Sequence, residues 1–135
     1  MRPGEGDRGS VTIFVAVLAV GFLAAAGLAY DGSQKLGGLS QARDLADNAA
    51  RACAQGVDTE ATLASGVAVL DPTDADNRAR SYLSAVGVSP ASITVGSATC
   101  EVEVVLSVPT RFLPGPFEVS ATEQATALYG VEVAR

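Results

Sequence analysis

The sequence predicts an α+β protein: a long N-terminal transmembrane helix that continues as an amphipathic helix, packed on a small antiparallel sheet of about three strands plus one short helix. Three observations carry this. Val11 to Tyr30 contains no charged residue; apolar residues then recur at helical spacing from Leu36 to Cys53; and beyond Gly87 the apolar period changes to two.

The uncharged run of Val11 to Tyr30 is 20 residues long. At about 1.5 Å per residue it covers roughly 30 Å, the hydrocarbon thickness of a bilayer, and only a helix satisfies its backbone there. The expected organisation is a cytoplasmic tail at 1–10, a transmembrane segment at 11–30 and an extracytoplasmic head at 31–135. Arginines and lysines near the run do not decide its orientation, since Arg2 and Arg8 precede it while Lys35 and Arg43 follow. The tail is short and the following domain large, which favours a single pass with the N-terminus inside the cell. A rival reading is a secretory signal peptide, with Ala24-Ala25-Ala26 as the small-residue cleavage cluster. Cleavage near Ala26 would release an extracellular binding domain. Within the run, Gly21, Ala25 and Ala29 have the small-xxx-small spacing that lets helices approach closely, so helix packing and homo-oligomers are expected at these positions.

Beyond Asp31, apolar residues at Leu36, Leu39, Ala42, Leu45, Ala46, Ala49 and Cys53 predict one face of a helix reaching about Ala54, with Gly37-Gly38 as a place to bend and Gly56 as the stop. Val57 to Thr73 reads as loop with one short turn around Ala61 to Val69. Thr73 is the expected N-cap of a second helix over about Asp74 to Val86, with Asp76 completing the box and Gly87 ending it. Ala75, Ala79, Tyr82, Leu83 and Val86 form its apolar face. Ile93 and Val95 mark a first strand and Gly96 to Thr99 a hairpin. Cys100, Val102, Val104, Leu106 and Val108 mark the buried face of a second strand. Pro109 and Pro114-Gly115-Pro116 interrupt the pattern. Phe117, Val119 and Ala121 then begin a third strand running toward Leu128 or Val133.

The formal charge of −6 lies in the head, because Arg2 and Arg8 balance Glu5 and Asp7. Such a surface repels phosphate backbones, so nucleic acid is not an expected partner. Membrane lipid is. The chain has two cysteines, Cys53 and Cys100, which in an oxidising compartment would staple the long helix to the sheet; two reduced, buried thiols are the alternative.

Catalysis has little to work with. With no histidine, the commonest general base and metal ligand is missing, and neither cysteine has a partner to activate it. Asp71, Asp74 and Asp76 do not fit a calcium loop, since the sixth and twelfth places hold Asp76 and Tyr82 where Gly and Glu are required. Glu101 and Glu103 read as the water-facing side of a strand. Asp31-Gly32-Ser33 begins like a D-x-S-x-S metal motif but has Lys35 in the last place, and reads as the membrane boundary. No catalytic residue, metal or cofactor is expected, and the protein is expected not to be an enzyme.

The N-terminal half resembles the TadE/TadG-like proteins of tight-adherence (Flp, type IVb-like) pilus systems. The resemblance is carried by Arg8-Gly9-Ser10-Val11, the apolar run closing in Gly27-Leu28-Ala29-Tyr30-Asp31, and the Ala-, Asp- and Asn-rich helix from Leu39 to Ala54; Val108 to Leu113 with the strand after it is similar too. It implies a minor pilin-like or assembly component at the cell surface, partnered by other pilus or secretion-system subunits through its N-terminal helix. Gly9 and Ser10 would flank a prepilin-type processing site. The fifth residue after Gly9 is Phe14, where processed prepilins keep a glutamate, so the chain departs from that pattern.

Overall fold

The computed structural model describes residues 8–128, and side chains from Val11 onward. Helix α1 spans Arg8–Ala54 without interruption, about 70 Å at the standard rise. The Gly37-Gly38 pair does not break it. Gly37 faces open space, whereas a Cβ on Gly38 would lie 2.3 Å from Val108 Cγ2, so Gly38 is where helix and sheet come closest. Gly56 does stop the helix, and it too marks a crossing: a Cβ there would sit 2.6 Å from the backbone N and Cα of Ala75.

The expected loop contains a short helix, α2, Thr59–Ser65. Asp58 caps it, accepting the Ala61 N–H at 2.9 Å, and Gly66 ends it with φ +73°. Helix α3 spans Pro72–Ala85 and is capped by Asp71, not Thr73: the Asp71 carboxylate accepts the N–H groups of Thr73 and Asp74 at 2.8 and 3.1 Å. Pro72 fills the first helical position, where no N–H is needed. Asp76 instead pairs with Arg80 one turn on. Ala75, Ala79 and Leu83 are buried as expected, Tyr82 is half-buried, and Val86 is exposed beyond the helix end.

The sheet is an antiparallel meander in the order β1-β2-β3, formed by Pro90–Val95, Thr99–Val108 and Phe117–Thr126. The hairpin closes through the Gly96 N–H donating to the Thr99 carbonyl at 2.7 Å. Register aligns inward residues: Val104 faces Ala121 and Leu106 faces Val119 across β2 and β3. Strand β3 stops at Thr126, after which Ala127 donates its N–H to Ala98; Val133 lies outside the described residues.

Helix α1 lies across β2 and β3 and against α3. The core is Ala46, Ala49, Ala50 and Cys53 of α1 set against Ala75, Ala79, Leu83, Cys100, Val102 and Val104. Small residues dominate the helix side because the helix sits close on the sheet; bulk comes from Leu and Val opposite. Leu36, expected on this face, is 70% exposed. At 100° per residue it lies off the stripe that passes through Gly38, Ala42, Ala46, Ala49 and Cys53. Cys53 and Cys100 are both fully buried, with Cα atoms 6.1 Å apart, the separation a disulfide uses.

Candidate functional site

The apolar half of α1 stands clear of the head. Its most hydrophobic stretch has a mean hydropathy of 2.5 and only 6% of it is buried, which excludes the ordinary core helix of a water-soluble fold. Phe14, Phe22 and Leu23 are among the side chains it exposes. Gly21, Ala25 and Ala29 are exposed as well, and a Cβ on Gly21 would meet nothing within 4 Å. Gly21 and Ala25 line a shallow apolar groove with Val17, Leu18 and Phe22. The backbone of Gly9 and Ser10 belongs to the first turn of α1.

The buried stripe of α1 runs below Gly38, through Asp31 to Gly27. It is covered by the β2–β3 loop, residues 109–116, which reaches past the end of the sheet and down the helix. Asp31 is 1% exposed, and its carboxylate accepts three consecutive loop N–H groups: Arg111 at 3.0 Å, Phe112 at 2.9 Å and Leu113 at 2.8 Å. Burial alone pushes this carboxyl upward, but the three donated hydrogen bonds outweigh it and hold it below the ordinary aspartate value. One turn earlier, the Phe112 ring lies where a Cβ on Gly27 would be, 2.9 Å away, and meets Tyr30 edge-on at 6.2 Å. The loop is tied internally by Thr110, whose hydroxyl lies against the carbonyls of Leu113 (2.8 Å) and Gly115. Above it, Lys35 Nζ sits 5.1 Å from the centre of the Phe117 ring.

This clasp is the geometry that sequence reasoning missed. Asp31 reads as a boundary marker and 109–116 as a pattern break; nothing local links them, since the hydrogen-bonded residues are 80 or more positions apart. The usable signal is an acid closing an apolar run one turn after a glycine, with a Pro- and Gly-rich loop elsewhere carrying an aromatic residue.

The acids considered for chemistry have structural roles. Asp71 caps α3, Asp74 pairs with Arg78 at 2.7 Å, and Asp76 pairs with Arg80 at 2.7 Å. Glu103 accepts a hydrogen bond from Ser92 at 3.2 Å, and Glu101 is exposed on the same strand face. Among the described residues no group of three or more His, Cys, Asp or Glu is placed to hold a metal ion.

Residues 9–56 match the model of a family described as putative Flp pilus-assembly TadE/G-like. The match covers the apolar run, Asp31 and the alanine-rich continuation of α1, and bears out the resemblance read from those residues. The matched stretch is about a third of the chain; Tad pilus assembly, with other pilus subunits as partners, is the setting that family's description implies, and the long apolar helix points to membrane anchoring. No curated protein and no solved structure matches the chain.

Proposed function

We propose, with that family match as premise, that this chain is a non-enzymatic minor pilin-like or assembly component of a Tad/Flp-type pilus or related secretion system. Residues 11–30 cross the membrane once, 1–10 stay in the cytoplasm, and the acidic head at 31–135 faces outward. The observation that carries the reading is the form of α1: an exposed apolar half of bilayer length passes without a break into a half that holds the head's core. A rod of this kind presents a membrane surface and a helix-packing surface together, the latter at Gly21, Ala25 and Ala29.

Release by signal peptidase near Ala26 is the alternative; it would leave Gly27, against which Phe112 packs, as the first residue of the mature chain. A disulfide between Cys53 and Cys100 fits the outward placement of the head, because such bonds persist outside the reducing cytosol. The deciding experiment has two parts. Intact mass of the protein purified from membranes is expected to retain Val11 to Tyr30; loss of that segment would return the secreted-domain reading. Co-purification in mild detergent is expected to bring pilus or secretion subunits with it, and consistent recovery of the chain alone would overturn the assembly role.

A further inference from the structure

We infer that the β2–β3 loop, residues 109–116, is a second membrane contact: its tip enters the lipid interface beside α1, with Phe112 as the inserted side chain and Asp31 as the group that holds the loop in place. The inference rests on the reading that Val11 to Tyr30 lies in lipid.

Depth follows from the helix. Gly27 is four residues before Asp31, about 6 Å further along the axis, and lies inside the uncharged run. The Phe112 ring touches Gly27 and Tyr30, so wherever that turn sits in the bilayer, the ring sits beside it. About 6 Å inside the boundary is the interfacial belt where aromatic side chains concentrate and where interfacial segments bury their apolar faces.

The exposure of the loop agrees. Phe112 covers the helix with one face yet remains 67% exposed, leaving its outer face to whatever surrounds α1 at that level. Pro114 and Pro116 are exposed beside it. In an acidic domain, the segment from Pro109 to Phe117 carries no acid and one cation, Arg111. With Lys35 above it over Phe117, Arg111 supplies positive charge at the level of lipid phosphates, where long basic side chains extend toward the headgroups. The next acid, Glu118, is on the sheet face turned away from α1.

The hydrogen bonds explain how irregular backbone is kept there. A loop near hydrocarbon must satisfy its N–H groups without water. Asp31 accepts three in a row, and Thr110 engages two of the loop's carbonyls. Asp31 is also the residue at which the uncharged run ends, so one carboxylate closes the span and fastens the head to it.

The chain has no tryptophan, so single-tryptophan variants report position cleanly. The full chain would be reconstituted in phosphatidylcholine–phosphatidylglycerol vesicles, with and without acyl-chain-brominated lipid, as Phe22→Trp, Phe112→Trp, Pro114→Trp and Tyr82→Trp. Expected are strong quenching for Phe22→Trp, quenching with a blue-shifted emission for Phe112→Trp and Pro114→Trp, and none for Tyr82→Trp. Adding Asp31→Ala to Phe112→Trp is expected to lower its quenching and shift its emission to the red. If Phe22→Trp is quenched while both loop variants are not, the inference is overturned and the anchor reading stands. If Phe22→Trp is also unquenched, the anchor reading itself fails and takes the inference with it. A blue shift at Phe112→Trp that appears only at high protein-to-lipid ratio would mean that a second copy, not lipid, covers the loop, and would also overturn it.

Discussion

Gly37 and Gly38 are adjacent in sequence, lie in the same helix and differ only in what faces them. Alanine at either position gains about 1 kcal/mol of helix propensity over glycine. At Gly37 nothing lies within 4 Å of the new methyl, so Gly37→Ala is expected to stabilise by about that amount. At Gly38 the methyl would lie 2.3 Å from Val108 Cγ2 and 3.5 Å from Val119 Cγ2. Val108 is held by its pairing with Phe117 and is β-branched, with few rotamers to retreat into. Relieving the overlap means shifting the helix off the sheet, an overpacking cost of about 2–3 kcal/mol. The net for Gly38→Ala is then a loss of about 1–2 kcal/mol. Propensity cancels between the two variants, so their difference isolates the packing cost, about 2–3 kcal/mol. For a head of this size that is on the order of 10 °C in Tm. Thermal unfolding of the detergent-solubilised full chain, followed by loss of sheet signal in circular dichroism, reads it directly. Equal rises in Tm for both variants would refute the claim that Gly38 is the point of closest approach.

Gly56→Ala should be worse than Gly38→Ala, about 3 kcal/mol or more, because its methyl meets the Ala75 backbone at 2.6 Å and backbone cannot turn aside; the same melting experiment ranks the two. A disulfide between residues 47 apart would contribute about 4 kcal/mol in the chain-entropy model, so Cys100→Ser should lower the denaturant midpoint of oxidised protein to near that of reduced wild type. Leu83→Ala, at a fully buried position between α1 and the sheet, should cost about 2–5 kcal/mol in chemical denaturation. The Asp31 clasp should be acid-labile: its folded pKa is depressed, so its contribution is complete above the unfolded value of about 3.9 and is lost as pH falls through the lower folded value. Protection of the Arg111, Phe112 and Leu113 amides, relative to their intrinsic exchange rate at each pH, should fall across that window, and Asp31→Asn should abolish the pH step.

Elements whose signal is local were readable from sequence. The alternation of Cys100, Val102 and Val104 against Glu101 and Glu103 gives the inward face of β2, and the same period from Phe117 through Val119 and Ala121 gives β3. The spacing of Ala42, Ala46, Ala49 and Cys53 gave the packing face of α1. Structure and sequence pattern part where two local cues compete. Thr73 and Asp71 both suit an N-cap, and the choice went to Asp71 because Pro72 is preorganised for the first helical position. Leu36 looked like core because it is large and apolar, yet the closeness of helix and sheet reserves that face for Gly38 and alanines.

By itself the sequence determined that α1 begins with a bilayer-length apolar run, that a period-two sheet follows, and that two cysteines are available to join them, since each depends on periodicity or composition within a short window. The tertiary structure decided which glycines are obligatory, where Leu36 points, and that Asp31 holds the loop carrying Phe112. Those are contacts between groups distant along the chain, and no spacing rule encodes them: Asp31 and Phe112 meet only because β2 runs down α1 far enough to bring its loop to the end of the apolar run.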